Sequence, residues 1–352
     1  MGLTLTHEVL SLGLRDPFRI ARTETEEEAQ RITTVVVELR HPDYPDVVGF
    51  GEGYPDRFYG ETPETMATVF PLLLDRLGRK PFEPTAYWLA WAEALMATAI
   101  RGHGAAKCAL DIALHDLVAK LIGVPVHGLL ELPTEIPPTD FTIGIDEPEV
   151  VAERARRAGD FPALKIKCGS PRDLETLRAV RDVFAGPIRV DANTGWTRET
   201  AGELLPTLVD LGVELIEQPF RARAYRDLAW LQDRSKLPIV ADESCVALED
   251  LDALEGVVAG VNVKLAKCGG IGPARGLLEE ARKRGFRTFL GCMEETSVGI
   301  AASAVVGSLA EWIDLDGNLL LAEDPFEGLV LGDDKRWKLA EAPGLGLRRR
   351  RV

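Results

Sequence analysis

Five charged residues recur at nearly even intervals through the second half of this chain. They are Lys167, Asp191, Glu217, Asp242 and Lys267, separated by 24, 26, 25 and 25 residues. Each follows or sits near a short apolar segment. Strands are expected at 141–145, 163–167, 188–191, 214–217, 239–242, 261–264, 288–291 and 312–315, with helix-like stretches between them. One strand, one helix and two short loops fill such an interval. Eight units of this kind close a parallel barrel, in which the C-terminal strand ends form the active-site face. A doubly wound open sheet gives a similar alternation, but charges sharing one phase of the repeat favour a closed barrel with a charged mouth.

The first third has a different texture. Residues 1–60 read as strands and turns, with a β-branched run at 33–39 and a glycine-punctuated segment at 48–53. Residues 15–31 form a polar loop carrying a run of glutamates. Thr62 can cap a helix with Pro63 at its first position. Ala106, Ala109, Ala113, Leu117 and Leu121 recur at helical spacing, and Gly123 and Pro125 stop that helix. An α+β domain is therefore expected over 1–130 and a barrel over 131–324, with the tail 325–352 packing back onto the first domain.

Composition narrows the chemistry. A net charge of −15 argues against nucleic-acid or anionic-membrane partners, which need a basic surface. The basic run Arg348–Arg351 reads as a solvated tail. No apolar run approaches the ~20 residues that span a bilayer. Five scattered cysteines, none in a C-x-x-C pair, suit a reducing cytoplasm. All five histidines lie at or before His127. A site in the barrel therefore cannot use a Ser-His-Asp triad or a histidine-bound zinc. Proton transfer there must fall to Lys, Tyr, Cys or carboxylates.

Asp191, Glu217 and Asp242 follow three consecutive strands. Carboxylates crowded at one mouth repel one another unless a cation joins them. An all-oxygen set without His or Cys points to Mg²⁺, with Mn²⁺ as the alternative. In Leu164-Lys165-Ile166-Lys167 the lysines share one strand face and the apolar residues the other. Two lysines inside a barrel are costly unless they face anions. A nearby metal and a second cation would depress a lysine pKa and make it a usable base. Lys267 lies four strands later, on the opposite wall, where a second base would serve inversion of one carbon. Lys264 competes for that role, and strand parity does not separate the two. At the eighth strand, Asp314 and Asp316 share a face and suit a cationic group on a substrate.

These motifs together resemble the muconate-lactonizing-enzyme subgroup of the enolase superfamily. The resemblance rests on Lys165-Ile166-Lys167, Asp191-Ala192-Asn193, Glu217-Gln218-Pro219, Asp242-Glu243-Ser244 and the run Val263 to Gly270. It implies a (β/α)7β-type TIM barrel with an α+β capping domain, Mg²⁺ on Asp191, Glu217 and Asp242, and Lys167 and Lys267 as acid/base residues. It gives Lys165 a role in stabilising an enolate, and takes the later lysine of the sixth-strand motif as the base. Asp314-Leu315-Asp316-Gly317 is similar to the signature of the dipeptide epimerases, in which the paired aspartates hold the substrate α-ammonium. The implied reaction abstracts the α-proton of the C-terminal residue to an enediolate and reprotonates the other face. Alternatives on the same scaffold are o-succinylbenzoate synthase, N-acylamino acid racemase or cycloisomerase activity; outside the family, a Schiff-base aldolase. Arg22 in the early loop and Glu294 after Met293 are the expected side-chain contacts of the substrate. The expected partners are a small dipeptide and further copies of the chain, in the cytoplasm.

Overall fold

The computed structural model describes residues 2–351. The chain begins with an antiparallel sheet of β1 (Thr4–Gly13), β2 (Arg31–His41) and β3 (Tyr44–Gly53), in that order. Valines alternate across β2. Val35 and Val37 face the core of the first domain, whereas Val36 joins the barrel core, so both faces of this strand are covered. The polar loop between β1 and β2 is more ordered than the sequence suggests. Its glutamates build a single helical turn, α1 (Glu26–Gln30), with Thr25 and Glu28 forming a capping box. Acidic residues suit that first turn because they face its unpaired backbone N–H groups.

Helices α2 (Pro63–Leu77), α3 (Ala86–Ala99) and α4 (Gly104–Ile122) follow. Thr62 caps α2 with Pro63 in the first turn, as the sequence predicts. Gly123 ends α4 in the left-handed conformation, its N–H bonded to Ala119 and Lys120 carbonyls. Every residue of α4 from Ala105 to Ala119 is buried. A helix buried on all sides needs neighbours on all sides. Here the first-domain sheet lies on one flank and the barrel on the other.

Close contact between β3 and α4 depends on glycine. A Cβ at Gly49, Gly51 or Gly53 would stand 2.2, 1.9 or 2.1 Å from the carbonyls of Ala113, Ala109 and Ala105 respectively. The alternating glycines thus present a bare strand face to successive turns of one helix.

Eight parallel strands form the barrel: β4 (Phe141–Ile143), β5 (Leu164–Lys167), β6 (Ile188–Asp191), β7 (Val213–Glu217), β8 (Ile239–Ala241), β9 (Gly260–Val263), β10 (Arg287–Gly291) and β11 (Trp312–Asp314). All eight expected strands are present, with ends shifted by a residue or two. The last strand returns to the first through a parallel bridge between Thr139 and Ile313, where Asp140 N donates to Ile313 O at 3.1 Å. Outward residues such as Leu164, Ile166, Ile188 and Val190 pack beneath the surrounding helices. Fully burying each such side chain is worth roughly 1.5–3 kcal/mol. Inside the barrel a separate apolar floor is made by Leu215, Val240, Phe289 and Trp312. Arg189 lies over the Phe289 ring and is held by Asp140 and Glu214.

The C-terminal tail folds back onto α4. Leu345 N donates to Asp116 Oδ1, and Gly344 exchanges backbone bonds with Val124 and Val126. The basic run is not a free tail. Arg348–Arg349 pairs as a short ladder with Phe326–Glu327, and Arg348 and Arg349 meet Glu327 and Glu8.

Gly51→Ala should lower stability by about 1–3 kcal/mol, because the new methyl has only backbone to displace. Urea unfolding of the variant against the parent measures the shift.

Candidate active site

Strand register sets the height of each side chain in the barrel. Lys167, Asp191 and Glu217 are successive Cα partners on β5, β6 and β7, so they sit on one level. Asp242 follows β8 directly. Lys165 and Arg189 occupy the level below. Carboxylate oxygens of Asp191, Glu217 and Asp242 lie within 4.8 Å of one another. All three residues are at most 1% exposed.

The surrounding bonds leave the three acids crowded but not equivalent. Lys165 Nζ lies 3.2 Å from Asp191, 2.9 Å from Glu217 and 2.7 Å from Asp314. Lys167 Nζ donates to Asp191 Oδ2 at 2.7 Å. Asn262 Nδ2 donates to Glu217 Oε1 at 2.7 Å, whereas Glu217 Oε2 has no well-directed hydrogen bond. Burial and the Asp191 charge push Glu217 up to about 8. Burial opposes ionisation of Asp191 and Asp242 too, but the lysines outweigh it and hold both carboxyls down.

Burial favours neutral amines, yet the facing acids hold Lys165 and Lys264 above the usual range. A divalent cation among those acids would offset the charge that raises them.

The two lysines of the sixth-strand motif occupy different environments. Lys264 continues the inward phase of β9, alternating with the outward Val261 and Val263, and its Nζ lies 3.0 Å from Asp242 Oδ2. Lys267 departs from the strand-end placement expected of it. It belongs to a short helix, Leu265–Cys268, after the strand. Its Nζ donates to Asp242 Oδ1 and to the carbonyls of Asp242, Cys245 and Asn262. An ammonium has three hydrogens, so these acceptors saturate it. Geometry thus separates two residues that strand parity left in competition, and it runs against Lys267, the base that the family resemblance implied. The signal was the alternation Val261-Asn262-Val263-Lys264.

Asp314 ends β11 and Asp316 follows it. Asp314 accepts from Lys165 and, at 2.9 Å, from Thr142 Oγ1. Asp316 Oδ2 accepts from Thr142 N at 2.6 Å. Burial works against both charges. Lys165 reverses this for Asp314, whereas Asp316, beside Asp314, stays well above the carboxylate range. The pair therefore spans the closure between β11 and β4.

Arg22 reaches the mouth from the early loop. It donates to Asn193 O at 2.9 Å, pairs with Glu243 and lies over the Phe58 ring. Glu243 already meets its charge, a contact the sequence reading did not foresee. Glu294 is half-buried near Tyr54, whose phenol is pushed up by burial and by the Glu294 charge.

Two further residues order the mouth. Gln218 Oε1 accepts from Asp242 N and Ser244 N, both at 3.0 Å, while its Nε2 donates to Phe220 O. Its backbone has φ 32°, and Asn193 has φ 41°. Such conformations are costly outside glycine and persist where neighbours over-determine them. The Glu217-Gln218-Pro219 motif thus places one acid and fastens the loop carrying another.

Sequence-family comparison agrees with this architecture. Residues 4–131 match the mandelate racemase / muconate lactonizing enzyme N-terminal domain, and residues 149–351 match the enolase C-terminal domain-like family. The chain belongs to this enolase-like family. A family member from Bacteroides thetaiotaomicron, an L-Ala-D/L-Glu epimerase, is 37% identical over 98% of this chain and 88% of its own length. The dipeptide epimerase from Enterococcus faecalis, solved with Mg and L-Leu-L-Tyr, superposes with TM-score 0.88 at 30% identity, covering 99% of both chains. That from Methylococcus capsulatus, solved with Mg and L-Arg-D-Lys, superposes with TM-score 0.86 at 33% identity, again over 99% of both chains.

Lys267→Met should destabilise the fold by roughly 3–5 kcal/mol, since it strands a buried carboxylate and three carbonyls. Lys264→Met, which removes one ion-pair partner of Asp242, should cost less than half as much. Urea midpoints of the two variants check the contrast.

Proposed function

We propose that this enzyme is a magnesium-dependent dipeptide epimerase, acting at the α-carbon of the C-terminal residue. One observation carries the reading. Two amines, Lys167 on β5 and Lys264 after β9, flank the carboxylate cluster from walls four strands apart in an eight-stranded barrel. The family relatives described above supply the reaction class.

Asp191, Glu217 and Asp242 would hold the metal. The fit is good: the donors are all oxygen, fully buried and mutually close, and Glu217 retains an oxygen without a directed hydrogen bond. A bound Mg²⁺ supplies Lewis-acid stabilisation of negative charge growing on the substrate carboxylate. Lys165 adds a fixed positive charge on the same side.

In the neutral form, Lys167 or Lys264 removes the α-proton, and the electron pair of the C–H bond passes into the carboxylate as an enediolate. The opposite lysine, as ammonium, returns a proton to the other face. The net change is inversion, with one proton taken up and one released. We assign the second base to Lys264 rather than Lys267, whose hydrogens are all engaged in holding Asp242 and its neighbours. Asp314 and Asp316 receive the α-ammonium. Arg22 and Glu294 border the space for the substrate side chains. Residues 16–30 and 52–60 close over the mouth and exclude water.

Substrates without an ammonium, as in the synthase and racemase alternatives, leave the aspartate pair unmatched. A Schiff-base aldolase needs a lysine whose amine is readily neutral, whereas the facing acids hold Lys165 and Lys264 above the usual range and Lys167 pairs with Asp191. The same reading divides the chain into a cap, 1–130, and a barrel, 131–324, with the tail 325–352 on the cap. It places a homo-oligomer in the cytoplasm. Among the described residues no helix is long and apolar enough to cross a membrane.

The deciding experiment incubates a dipeptide library in D₂O with Mg²⁺ and reads deuterium at the C-terminal α-carbon by mass spectrometry. Label accompanied by inversion is expected, and EDTA should abolish it. No label in any dipeptide would overturn the assignment. Lys167→Ala and Lys264→Ala should each reduce epimerisation by about 10²–10⁴-fold. Each should still exchange the α-proton of one epimer, a different one in each variant. Chiral chromatography of the incubations, with mass detection, checks both outcomes.

A further inference from the structure

A second buried charge cluster lies where the cap meets the barrel, away from the carboxylates of the mouth. Its members are Glu93 on α3 and Asp111 and His115, one turn apart on α4. His115 is fully buried. Its Nδ1 lies 2.9 Å from the Asp111 carbonyl and 3.4 Å from Asp111 Oδ2, and its Nε2 lies 3.2 Å from Glu93 Oε1. Both ring nitrogens thus lie near carboxylate oxygens, a setting that favours the charged ring, although Nε2 makes no directed hydrogen bond. Burial disfavours that charge, but the Asp111 and Glu93 carboxylates outweigh it and push the imidazole up to about 10.

The cluster grips one segment of the barrel. Asp111 Oδ2 accepts from Ile271 N at 2.6 Å, at the start of the helix Ile271–Lys283. Glycine makes both approaches possible. A Cβ at Gly270 would lie 2.2 Å from Asp111 Oδ2, and one at Gly272 would lie 2.3 Å from the Glu93 carboxyl carbon. Farther along α4, a Cβ at Gly104 would lie 2.2 Å from the Lys267 carbonyl. The seized segment is the one that leaves β9 through Lys264 and Lys267. Two acids meet the positive end of the helix, and the imidazolium between them relieves their repulsion. From Lys264 to Ile271 the chain runs through eight residues, held midway by the Lys267 bonds and at the far end by Asp111.

We propose that Glu93, Asp111 and His115 are positioning residues for the base at Lys264, forming a clamp from the cap that sets the height of the segment 264–272. The inference rests on the epimerase reading and on Lys264 as one of its two bases. Loosening the clamp shifts Lys264 and leaves Lys167 in place, because Lys167 sits on the opposite wall and is held by Asp191. The effect is therefore specific to one face of the substrate. A merely structural role would impair both faces alike.

The test uses the full-length, Mg²⁺-loaded enzyme in D₂O with each epimer of a dipeptide that it turns over, and measures initial deuterium uptake at the α-carbon. Lys264→Ala and Lys167→Ala assign each epimer to its base. The clamp variants are His115→Gln, Glu93→Gln and Gly272→Ala. Gly272→Ala removes no charge and displaces the Glu93 carboxylate by overlap. Should His115→Gln fail to fold, the other two decide, since Glu93 is partly exposed and Gly272 lies at a helix start.

Exchange at the Lys264 face should fall roughly 10- to 100-fold, as expected of a base misplaced by about an ångström. Exchange at the Lys167 face should stay within about twofold by the same argument. Equal losses at both faces, or no loss at either, overturn the proposal. So does capture of one Co²⁺ per chain in Mg²⁺-saturated enzyme that His115→Gln abolishes, because the cluster is then a metal site. Failure of the unaltered enzyme to exchange any dipeptide overturns the epimerase reading instead, and this inference with it.

Discussion

Mutual repulsion among buried carboxylates is the constraint around which this molecule is organised. Carboxylate oxygens of Asp191, Glu217 and Asp242 stand within 4.8 Å of one another in a buried site. Such a cluster survives only if positive charge is brought to it. Lys165 and Lys167 rise from one wall, and Lys264 and Lys267 from the other. The same cations that make the acids tolerable are the groups a proton-transfer enzyme requires. Structural need and chemical use coincide at the mouth, and neither can be altered alone.

The lysines divide this labour by depth and by element. Lys165 sits low, above the Phe289 ring, and touches three acids. Lys267 is the staple: it ties the backbone after β8 to that of β9 and leaves no hydrogen free. Lys167 and Lys264 each hold one acid of the cluster. A lysine with several fixed acceptors is a strut, and one with a single acidic partner can turn towards a substrate.

Much of this was legible in the sequence because the barrel repeats. Charges at a steady phase of that repeat had to converge, so the strands and the three acids could be located without coordinates. Lys267 shows where such reading fails. Its spacing of 25 residues from Asp242 continued the series, yet the chain had already left β9 and begun a helical turn. The shorter, two-residue alternation through Asn262 and Lys264 carried the better information. The ion pair of Arg22 with Glu243 was hidden for another reason. It joins residues 221 positions apart through a loop whose path no local pattern specifies. The glutamates beside Arg22 likewise build a capped turn, which needed the Thr25–Glu28 pairing to be recognised.

Helix α4 belongs to two hydrophobic cores at once. Cys108 and Ile112 pack with the barrel, while Ala109 and Ala113 pack with the cap and lie against the bare face of β3. A hinge through such an element would have to empty both cores, so the body of the cap cannot swing as a door does. Access to the mouth is left to the short segments at its rim. New substrate preferences can arise there by changing a few side chains, while exchange of whole caps between relatives would tear a shared keel from one of its two hulls.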